Sequence, residues 1–504
     1  MKRALIFVHR WLGVTLCVVF LLWFPSAIGI MYWNFPDVGQ ADVIAHAAPI
    51  DASKIRLSPA EAYARLGLDE EVGGAQLSTF DGRPTYRFGS GSGEYIVYAD
   101  TGDEQLEIPK AMVHRIAEAW TRQPASRARV ELVTEVDQWT VQLRLDDLIP
   151  LWKFSWPDGE QVYVTQTTGD VVQHTTSSSR LGAYLGAIPH WLYFTPLRRN
   201  GSTWSRVVIW SSGIGTITAI LGVIIGAWMY SPGKRYRRGG VPSSIPYRGQ
   251  KRWHTVLGLI FGVATITWAF SGMLSMDPFP SRAIGERPPP NVQDALQGPL
   301  SLPAFSPKDP RQALGQLAGL EVKQLEFASL GEEPFYLATL AAGDTRIVPV
   351  NGQPITAFDH ERIVRLVETA TAPATVQTSV LTQYDRYYLD RRRQLPLPVI
   401  LARLDDELRS RYYIDPRTAR VVGRYDTSGW VNRWLYNGLH SLNFPWLYNY
   451  RPLWDIVVIT FMVGGTALCV TSLILAWRVV GRTLRGVAPG ASRDRLSDDL
   501  AMAD

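Results

Sequence analysis

The sequence predicts an α+β membrane protein with four transmembrane helices, arranged as a pseudo-two-fold tandem duplication in which each half is helix, outside domain, helix. Three observations lead to this fold class. The chain contains four long apolar segments, related motifs recur about 250 residues apart, and strand-turn-strand patterns occupy the regions between the segments.

The four apolar segments are long enough to cross a hydrocarbon core of about 30 Å, which requires roughly 20 helical residues. They comprise approximately residues 11–33, 207–230, 255–276 and 454–477. The composition agrees, since 46% of the 504 residues are hydrophobic and 18 are Trp. Two segments carry glycine pairs at helix-packing spacing, Gly222/Gly226 and Gly258/Gly262, which we interpret as structural.

The N-terminal segment could also be a signal peptide, because Ala45-His46-Ala47 has the small-x-small form of a cleavage site. The apolar region is too long for that, and the site lies far beyond it, so a retained anchor is predicted. The only cysteines, Cys17 and Cys469, lie in apolar segments. The sequence therefore offers neither a disulfide framework nor a C-x-x-C-H haem attachment motif.

The distribution of Lys and Arg predicts the orientation. Residues 231–253 contain seven Lys and Arg and no acidic residue, so this loop is expected to be cytoplasmic. Basic residues near the N-terminus and after the fourth segment agree, which places both termini in the cytoplasm and the two long loops in the periplasm of a bacterium. The net charge of +5 lies beside the apolar segments rather than on one soluble face, so no nucleic-acid partner is expected.

Histidine motifs recur along the chain. His9 and His254 lie 245 residues apart, and each precedes a glycine by four residues at the predicted cytoplasmic start of a helix. His190 precedes Trp204 by 14 residues, and the same spacing recurs 250 residues later between His440 and Trp454. Two equal spacings in the same order indicate a duplication.

Smaller units also recur in the two loops. Ser58-Pro59 and Ser306-Pro307, 248 residues apart, are expected to begin matching helices. Strand-turn-strand patterns are predicted at Tyr95–Gln105, Val162–Val172, Thr345–Ile355 and Tyr412–Val422. Helical patterns precede them at Pro59–Leu66, Met112–Trp120, Arg311–Leu317 and Glu361–Thr369. The loops are therefore predicted to contain four small α+β units, two in each half.

These features resemble the PepSY-associated transmembrane proteins over nearly the whole chain. The β-turn-β sequence YYIDPRTARVV at Tyr412–Val422, the HRWLG motif at His9 and the Leu439-His440 segment are similar to that family's hallmarks. Two positions depart from the pattern: Ala419 stands where the turn usually has glycine, and His190 lies in an Ile-Pro-His-Trp context. The resemblance implies two periplasmic PepSY-like domains. Family members studied as ferric-siderophore reductases of the inner membrane carry two b-type haems held by histidines.

The predicted organisation follows from the segments and the resemblance together. It comprises an N-terminal anchor with the first transmembrane helix (1–35), PepSY-like domain 1 (36–180), an interfacial segment with the second helix (181–230), a basic cytoplasmic loop (231–253), the third helix (254–277), PepSY-like domain 2 (278–430), an interfacial segment with the fourth helix (431–478) and a cytoplasmic tail (479–504).

Four of the eight histidines fall at repeat-related positions at the predicted membrane boundaries. A polar imidazole at or near lipid tends to face protein, water or a metal. If the halves pack about a pseudo-two-fold axis, His9 meets His254 and His190 meets His440. Each pair would supply the two axial nitrogens of a haem iron, so we expect two haem b groups and electron transfer. The remaining histidines, His46, His114, His174 and His360, are interpreted as surface or structural residues.

Two further groups of residues are associated with the expected haems. Arg198, Arg199 and Arg451 could pair with haem propionates, or they could anchor the helices at the outer face. Trp210, Trp268 and Trp454 could surround the porphyrins or belong to the interfacial aromatic belt. The charge-dense stretch QYDRYYLDRRRQ, residues 383–394, could be a solvated edge or contact an anionic substrate or partner.

The expected function is haem-dependent reduction of a periplasmic ferric siderophore or other iron chelate, with electrons supplied by a quinol or a cytoplasmic reductase. No catalytic residue is identified from the sequence, and no dinucleotide or Walker motif is present. The alternative is a non-enzymatic membrane-anchored PepSY protein that binds or regulates a periplasmic partner such as a protease. A transporter is disfavoured, because the apolar segments lack buried carboxylates or lysines.

Overall fold

The computed structural model describes residues 1–91, 93–238, 240–278, 291–390 and 392–487. The chain divides into two compact units. The helical unit comprises residues 1–35, 181–280 and 432–504, and the sheet unit comprises residues 36–180 and 281–431. Each unit therefore combines segments from both halves of the sequence.

The chain has a mixed helical and sheet structure. The α-helices, in chain order, are α1 (Lys2–Tyr32), α2 (Gln40–His46), α3 (Pro59–Ala64), α4 (Lys110–Thr121), α5 (Leu143–Asp146), α6 (Ser177–Leu185), α7 (Ala187–Trp191), α8 (Thr195–Arg198), α9 (Gly201–Met229), α10 (Gly249–Leu274), α11 (Val292–Leu296), α12 (Pro310–Gly315), α13 (His360–Thr371), α14 (Leu439–Ser441), α15 (Pro445–Tyr448) and α16 (Leu453–Val487). A π-helix, Val431–Gly438, precedes α14. The strands are β1 (Gly74–Phe80), β2 (Arg83–Ser90), β3 (Gly93–Tyr98), β4 (Arg129–Val133), β5 (Leu151–Ser155), β6 (Gln161–Thr165), β7 (Val171–Thr175), β8 (Tyr236–Arg238), β9 (Val241–Ser243), β10 (Gln324–Leu330), β11 (Glu333–Ala341), β12 (Asp344–Pro349), β13 (Val376–Leu381), β14 (Val399–Leu404), β15 (Arg411–Asp415) and β16 (Arg420–Tyr425).

Four helices of the helical unit, α1, α9, α10 and α16, are long and apolar enough to cross a membrane. This confirms the predicted apolar segments, although each helix begins before its segment because helical hydrogen bonding continues into the polar flanks. Both α1 and α10 pack against α9 and α16, so α1 and α10 face each other across the bundle. The short helices α7 and α14 pack on α1 and α10, respectively.

The sheet unit contains one six-stranded antiparallel sheet in the order β12-β11-β10-β1-β2-β3 and two four-stranded sheets, β4-β5-β6-β7 and β13-β14-β15-β16. At the centre of the large sheet, β1 pairs with β10, and Leu77 lies opposite Leu325. Both leucines are fully buried. The two loops, predicted as separate domains, are thus joined in one unit. Pairing β1 with β10 removes an exposed strand edge from each loop.

The predicted hairpins form in two of the four places. The stretches Val162–Val172 and Tyr412–Val422 form paired strands, β6 with β7 and β15 with β16. In Tyr95–Gln105 and Thr345–Ile355 the second strand is reduced to one bridge, Val97 to Glu104 and Ile347 to Ile355. Ala419 adopts the left-handed backbone, with φ of 53°. This is the conformation that favours glycine.

The helices predicted in the loops are confirmed, but one start was placed wrongly. Ser58 caps α3 as expected, since its side chain accepts a hydrogen bond from the Glu61 backbone. The matching helix α12 begins at Pro310 instead of Pro307, and Asp309 is its cap. The Asp309 carboxylate and the Gln312 side chain complete a reciprocal capping box, which Ser306 does not offer.

Similar hydrogen bonds occur in both halves of the sheet unit. The Tyr163 hydroxyl donates to Asp137 over 2.7 Å, and 250 residues later the Tyr413 hydroxyl donates to Asp385 over 3.0 Å. Asp385 also accepts backbone hydrogen bonds from Tyr387 and Tyr388. Part of the charge-dense stretch is therefore structural. Arg391 of that stretch, residues 279–290 of the predicted second domain and residues 488–504 of the predicted tail lie outside the described residues.

Candidate functional site

The first histidine pair is His9 on α1 and His254 on α10, which face each other across the bundle. Their ring centres are 6.2 Å apart. His9 Nδ1 lies 3.0 Å from the Thr218 carbonyl oxygen on α9. A carbonyl can only accept, so Nδ1 carries the proton and Nε2 keeps its lone pair. His254 Nδ1 is held in a similar way, 3.2 Å from the Thr471 hydroxyl on α16.

The second histidine pair is His190 on α7 and His440 on α14, with ring centres 6.0 Å apart. His190 Nδ1 lies 3.2 Å from the Trp23 carbonyl oxygen and 3.3 Å from the Ser26 hydroxyl. His440 Nδ1 lies 3.1 Å from the hydroxyl of Ser271, which is 245 residues after Ser26. The structure therefore brings together both pairs that the sequence predicted.

Burial keeps the second pair neutral. Removal from water disfavours the imidazolium, which lowers the pKa of His190 to about 4 and that of His440 to about 3. At neutral pH both rings can act as ligands through an unprotonated nitrogen. Among the described residues, the Nε2 atoms of all four imidazoles have no hydrogen-bond partner, whereas each Nδ1 has at least one. This is the usual arrangement of metal-binding histidines, in which a hydrogen bond to one ring nitrogen fixes the ring and leaves the other nitrogen free to bind the metal.

The ring separations fit a shared metal ion. Metal–imidazole bonds measure about 2.0–2.1 Å for zinc, so two imidazoles on opposite sides of one ion have ring centres about 6.3 Å apart. The observed separations are 6.2 Å and 6.0 Å. No group of three or more His, Cys, Asp or Glu gathers around a possible metal position in the described part of the chain. Each pair could therefore supply two nitrogen ligands to a metal ion whose other ligands come from another molecule, as in haem proteins with two histidine ligands.

The two pairs lie at different levels of the bundle. The contact residues Ser26 and Ser271 each follow the first-pair histidine of their own helix by 17 residues. At 1.5 Å per residue, the two levels are about 25 Å apart along both helices. This distance is most of the thickness of a hydrocarbon core.

A cavity of about 580 Å³ surrounds the first pair, within the usual range for small-molecule sites. His9 and His254 form part of its wall, together with aliphatic and small residues of all four long helices. Five cationic side chains and no carboxylate line the cavity; the cations are Arg10, Arg248, Lys251, Arg478 and Arg482. The sequence analysis used such residues only to predict orientation, and their convergence on one cavity was missed. This lining suits a flat apolar molecule that carries acidic groups at one edge.

Gly222 shapes the first pair. The sequence analysis interpreted it, with Gly226, Gly258 and Gly262, as a helix-packing glycine. Gly262 does lie against Val223 of the neighbouring helix, where a Cβ would be 2.5 Å from that side chain. A Cβ on Gly222, however, would lie 2.7 Å from Cε1 of His9. Gly222 therefore makes room for an imidazole.

The structure distinguishes the predicted propionate partners. Arg198 is 4% exposed and stacks over Tyr193 and Trp204, at 4.8 and 4.3 Å. Its Nε and Nη1 atoms have no hydrogen-bond partner among the described residues. Arg451 is instead paired with Asp455, and Arg199 is exposed. A buried guanidinium without a counter-ion is costly, so Arg198 is the better candidate to hold an anion.

The other candidate residues have simpler environments. Trp268 and Trp454 are buried, whereas Trp210 is 67% exposed. Cys17 and Cys469 are free and buried, and both line the cavity. The four remaining histidines lie in the sheet unit, where His46 stacks on Trp120 and His174 contacts Glu160.

No protein-family model matches the chain, and no curated protein shows a significant match to it. Function is therefore inferred from the two histidine pairs, the cavity and Arg198.

Proposed function

We propose that this protein is a b-type haem protein of the bacterial inner membrane that moves electrons across the membrane to reduce a periplasmic ferric siderophore or a similar iron chelate. The observation that carries the proposal is the presence of two histidine pairs with ring centres 6.2 and 6.0 Å apart, at levels of the bundle separated by about 25 Å. Two such sites divide the membrane thickness into shorter electron transfers. The substrate class rests on the resemblance to the PepSY-associated proteins.

The surroundings of each pair support a haem. At the first pair, the apolar walls of the cavity suit a porphyrin, and the five cations suit its two propionates. Eight residues after His190, Arg198 offers a buried guanidinium whose Nε and Nη1 have no partner among the described residues. A carboxylate beside Arg198 would offset the cost of burying its charge.

The protein's residues hold the cofactor and set its properties. A haem held by the two imidazoles of a pair would supply one-electron chemistry. The Nδ1–H group of His9 donates a hydrogen bond to the Thr218 carbonyl. This hydrogen bond orients the ring and keeps the lone pair of Nε2 available to bind a metal. His190 has the equivalent partner in the Trp23 carbonyl. These hydrogen bonds are already formed in the protein without the cofactor. The imidazole rings would therefore need little reorganisation when the charge of a bound iron changes.

The proposed orientation places the first pair near the cytoplasm and the second near the periplasm, because the basic loop 231–253 lies beside the start of α10. Both termini are then cytoplasmic, and the sheet unit, with its PepSY-like folds, is periplasmic. A quinol or a cytoplasmic reductase supplies the electrons. A tandem duplication accounts for the contacts that recur 245 to 251 residues apart, such as those of Ser26 and Ser271 with the second-pair histidines.

An optical spectrum tests the proposal. Purified protein, expressed with an adequate haem supply, is expected to show the sharp absorption bands of low-spin b-type haem on dithionite reduction, at two haems per chain. Addition of a ferric siderophore to the reduced protein is expected to reoxidise it. A folded, colourless protein that takes up no added haem would overturn the proposal and favour the non-enzymatic PepSY alternative.

Gly222→Ala is expected to weaken haem binding at the first pair. The new methyl group would overlap the His9 ring, which is 2.7 Å from the ideal Cβ position, and overpacking of this kind costs about 1–3 kcal/mol. Gly226→Ala is the matched control on the same helix, since its Cβ would meet only the flexible Leu259 side chain at 3.2 Å. Haem titration of the two variants measures the difference. Equal affinity in both variants would contradict the role given to Gly222.

A further inference from the structure

A continuous series of aromatic rings runs between the two histidine pairs. Phe20 and Phe24, one turn apart on α1, have ring centres 6.3 Å apart. Phe24 contacts Trp268 of α10 at 6.0 Å. Trp23 contacts Phe20 at 5.8 Å and joins the series from the side. All of these separations lie in the range of direct aromatic contact.

One end of the series lines the first site, and the residue at the other end is linked to the second site through its backbone. Phe20 is part of the wall of the cavity that holds His9 and His254. At the other end, the Trp268 carbonyl accepts a hydrogen bond from Ser271, whose hydroxyl contacts His440. Side chains in a helix point toward its N-terminus, so the Trp268 indole lies on the side of this contact that faces the first pair.

Glycines on neighbouring helices accommodate two of these rings, and the third ring buries a hydrogen-bond donor that is unpaired within the described part of the chain. A Cβ on Gly215 would lie 2.8 Å from the Phe20 ring, and a Cβ on Gly465 would lie 2.3 Å from the Phe24 ring. Trp268 is 7% exposed, and its indole N–H has no partner among the described residues. An aliphatic side chain would fill the same space without a buried orphan donor. The positions that correspond to Phe20 and Phe24 in the second half are Thr265 and Ala269, so these two rings are not a general feature of both halves.

We infer that Phe20, Phe24 and Trp268 form an aromatic bridge that carries electrons between the two haem sites. The inference rests on the proposed function. With haem held at both pairs, one electron would pass from the reduced first site to the oxidised second site, and no bond would form or break. The rings are not themselves oxidised. They act as a packed medium for electron tunnelling. The tunnelling rate falls off more steeply with distance across empty gaps than through atoms in van der Waals contact.

Leucine substitutions test the bridge, with a control that removes a similar ring outside it. Phe461 also contacts Trp268 at 6.0 Å, but it leads on to Phe261, and neither of these rings lines the cavity. In the haem-loaded protein, one haem is reduced photochemically and the redistribution of the electron is followed by time-resolved absorbance. Phe24→Leu and Trp268→Leu are expected to slow the redistribution about tenfold, equivalent to about 1.4 kcal/mol in the barrier, and Phe461→Leu less than about threefold.

Haem content and midpoint potentials are measured in parallel and are expected to stay at wild-type values, which separates electron transfer from damage to the sites. Trp268→Phe keeps a ring in place and is expected to retain the rate within about threefold even if the leucine variant folds poorly. Equal rates in all variants, or equal slowing by Phe461→Leu, would overturn the bridge and leave the haem proposal standing. Absence of haem from the wild-type protein would instead remove the proposed function.

Discussion

His254→Ala is expected to remove about half of the bound haem, because one of the two axial bonds at the first pair is lost while the second pair keeps both of its ligands. His9→Ala should have the same effect, and the double variant should lose no more haem than either single variant. The amount is measured by haem extraction and the iron-to-protein ratio. His190→Ala or His440→Ala should remove the other half.

A ligand role is separated from a structural role by rescue. The His254→Ala variant leaves space for a free imidazole beside the 580 Å³ cavity. Added imidazole is therefore expected to restore the low-spin spectrum, which a merely unfolded variant could not do. His174→Ala, which removes a histidine of the sheet unit that contacts Glu160, serves as control and should keep both haems. Full haem content in His254→Ala would show that the first pair does not bind iron.

Arg198→Met is expected to have opposite effects on the haem-free and haem-loaded protein. Without haem, removal of a buried guanidinium that has no counter-ion in the described parts of the chain should leave the free energy of unfolding unchanged or raise it by about 1–3 kcal/mol. With haem, loss of the charge-assisted bond to a propionate should weaken binding at the second pair about tenfold or more. Thermal unfolding in detergent and haem titration measure the two quantities.

Arg199→Met is the matched control, since Arg199 is adjacent in sequence but exposed. It should change neither quantity. The propionate role predicts a further difference: haem with esterified propionates should bind equally well to wild type and Arg198→Met. A lower stability of haem-free Arg198→Met, with unchanged haem affinity, would assign Arg198 to packing against Tyr193 and Trp204.

The histidine pairs could be predicted because two pairs of related motifs recur in the sequence at nearly equal offsets. The offsets from His9 to His254 and from His190 to His440 indicated which rings would meet, and both pairs are found with ring centres close together. The arginines could not be ranked in this way. Arg198 and Arg451 look alike in sequence, and only the structure shows that Asp455 already neutralises Arg451.

Residues whose role depends on a partner far away in the chain were missed. Gly222 has the spacing of a packing glycine, and nothing local indicates that the ring of His9, more than 200 residues earlier, fills the space beside it. The cavity cations come from three separate stretches that contain Arg10, Lys251 and Arg478. The preference of Lys and Arg for the membrane boundary explains each stretch by itself. Nothing in the sequence therefore indicates that the three stretches meet at one cavity.

The sequence by itself determined the four apolar helices, the short helices of the two loops and the pairing of the histidines, because hydrophobic length, helix-capping chemistry and repeat offset are local or periodic properties. Only the tertiary structure decided that the two loops share one sheet through Leu77 and Leu325, that Arg198 is buried with no counter-ion among the described residues, and that aromatic rings connect the two levels of the bundle. These features depend on which surfaces of distant segments come into contact. Packing, strand-edge pairing and burial over the whole chain determine these contacts. No pattern within a single segment indicates them.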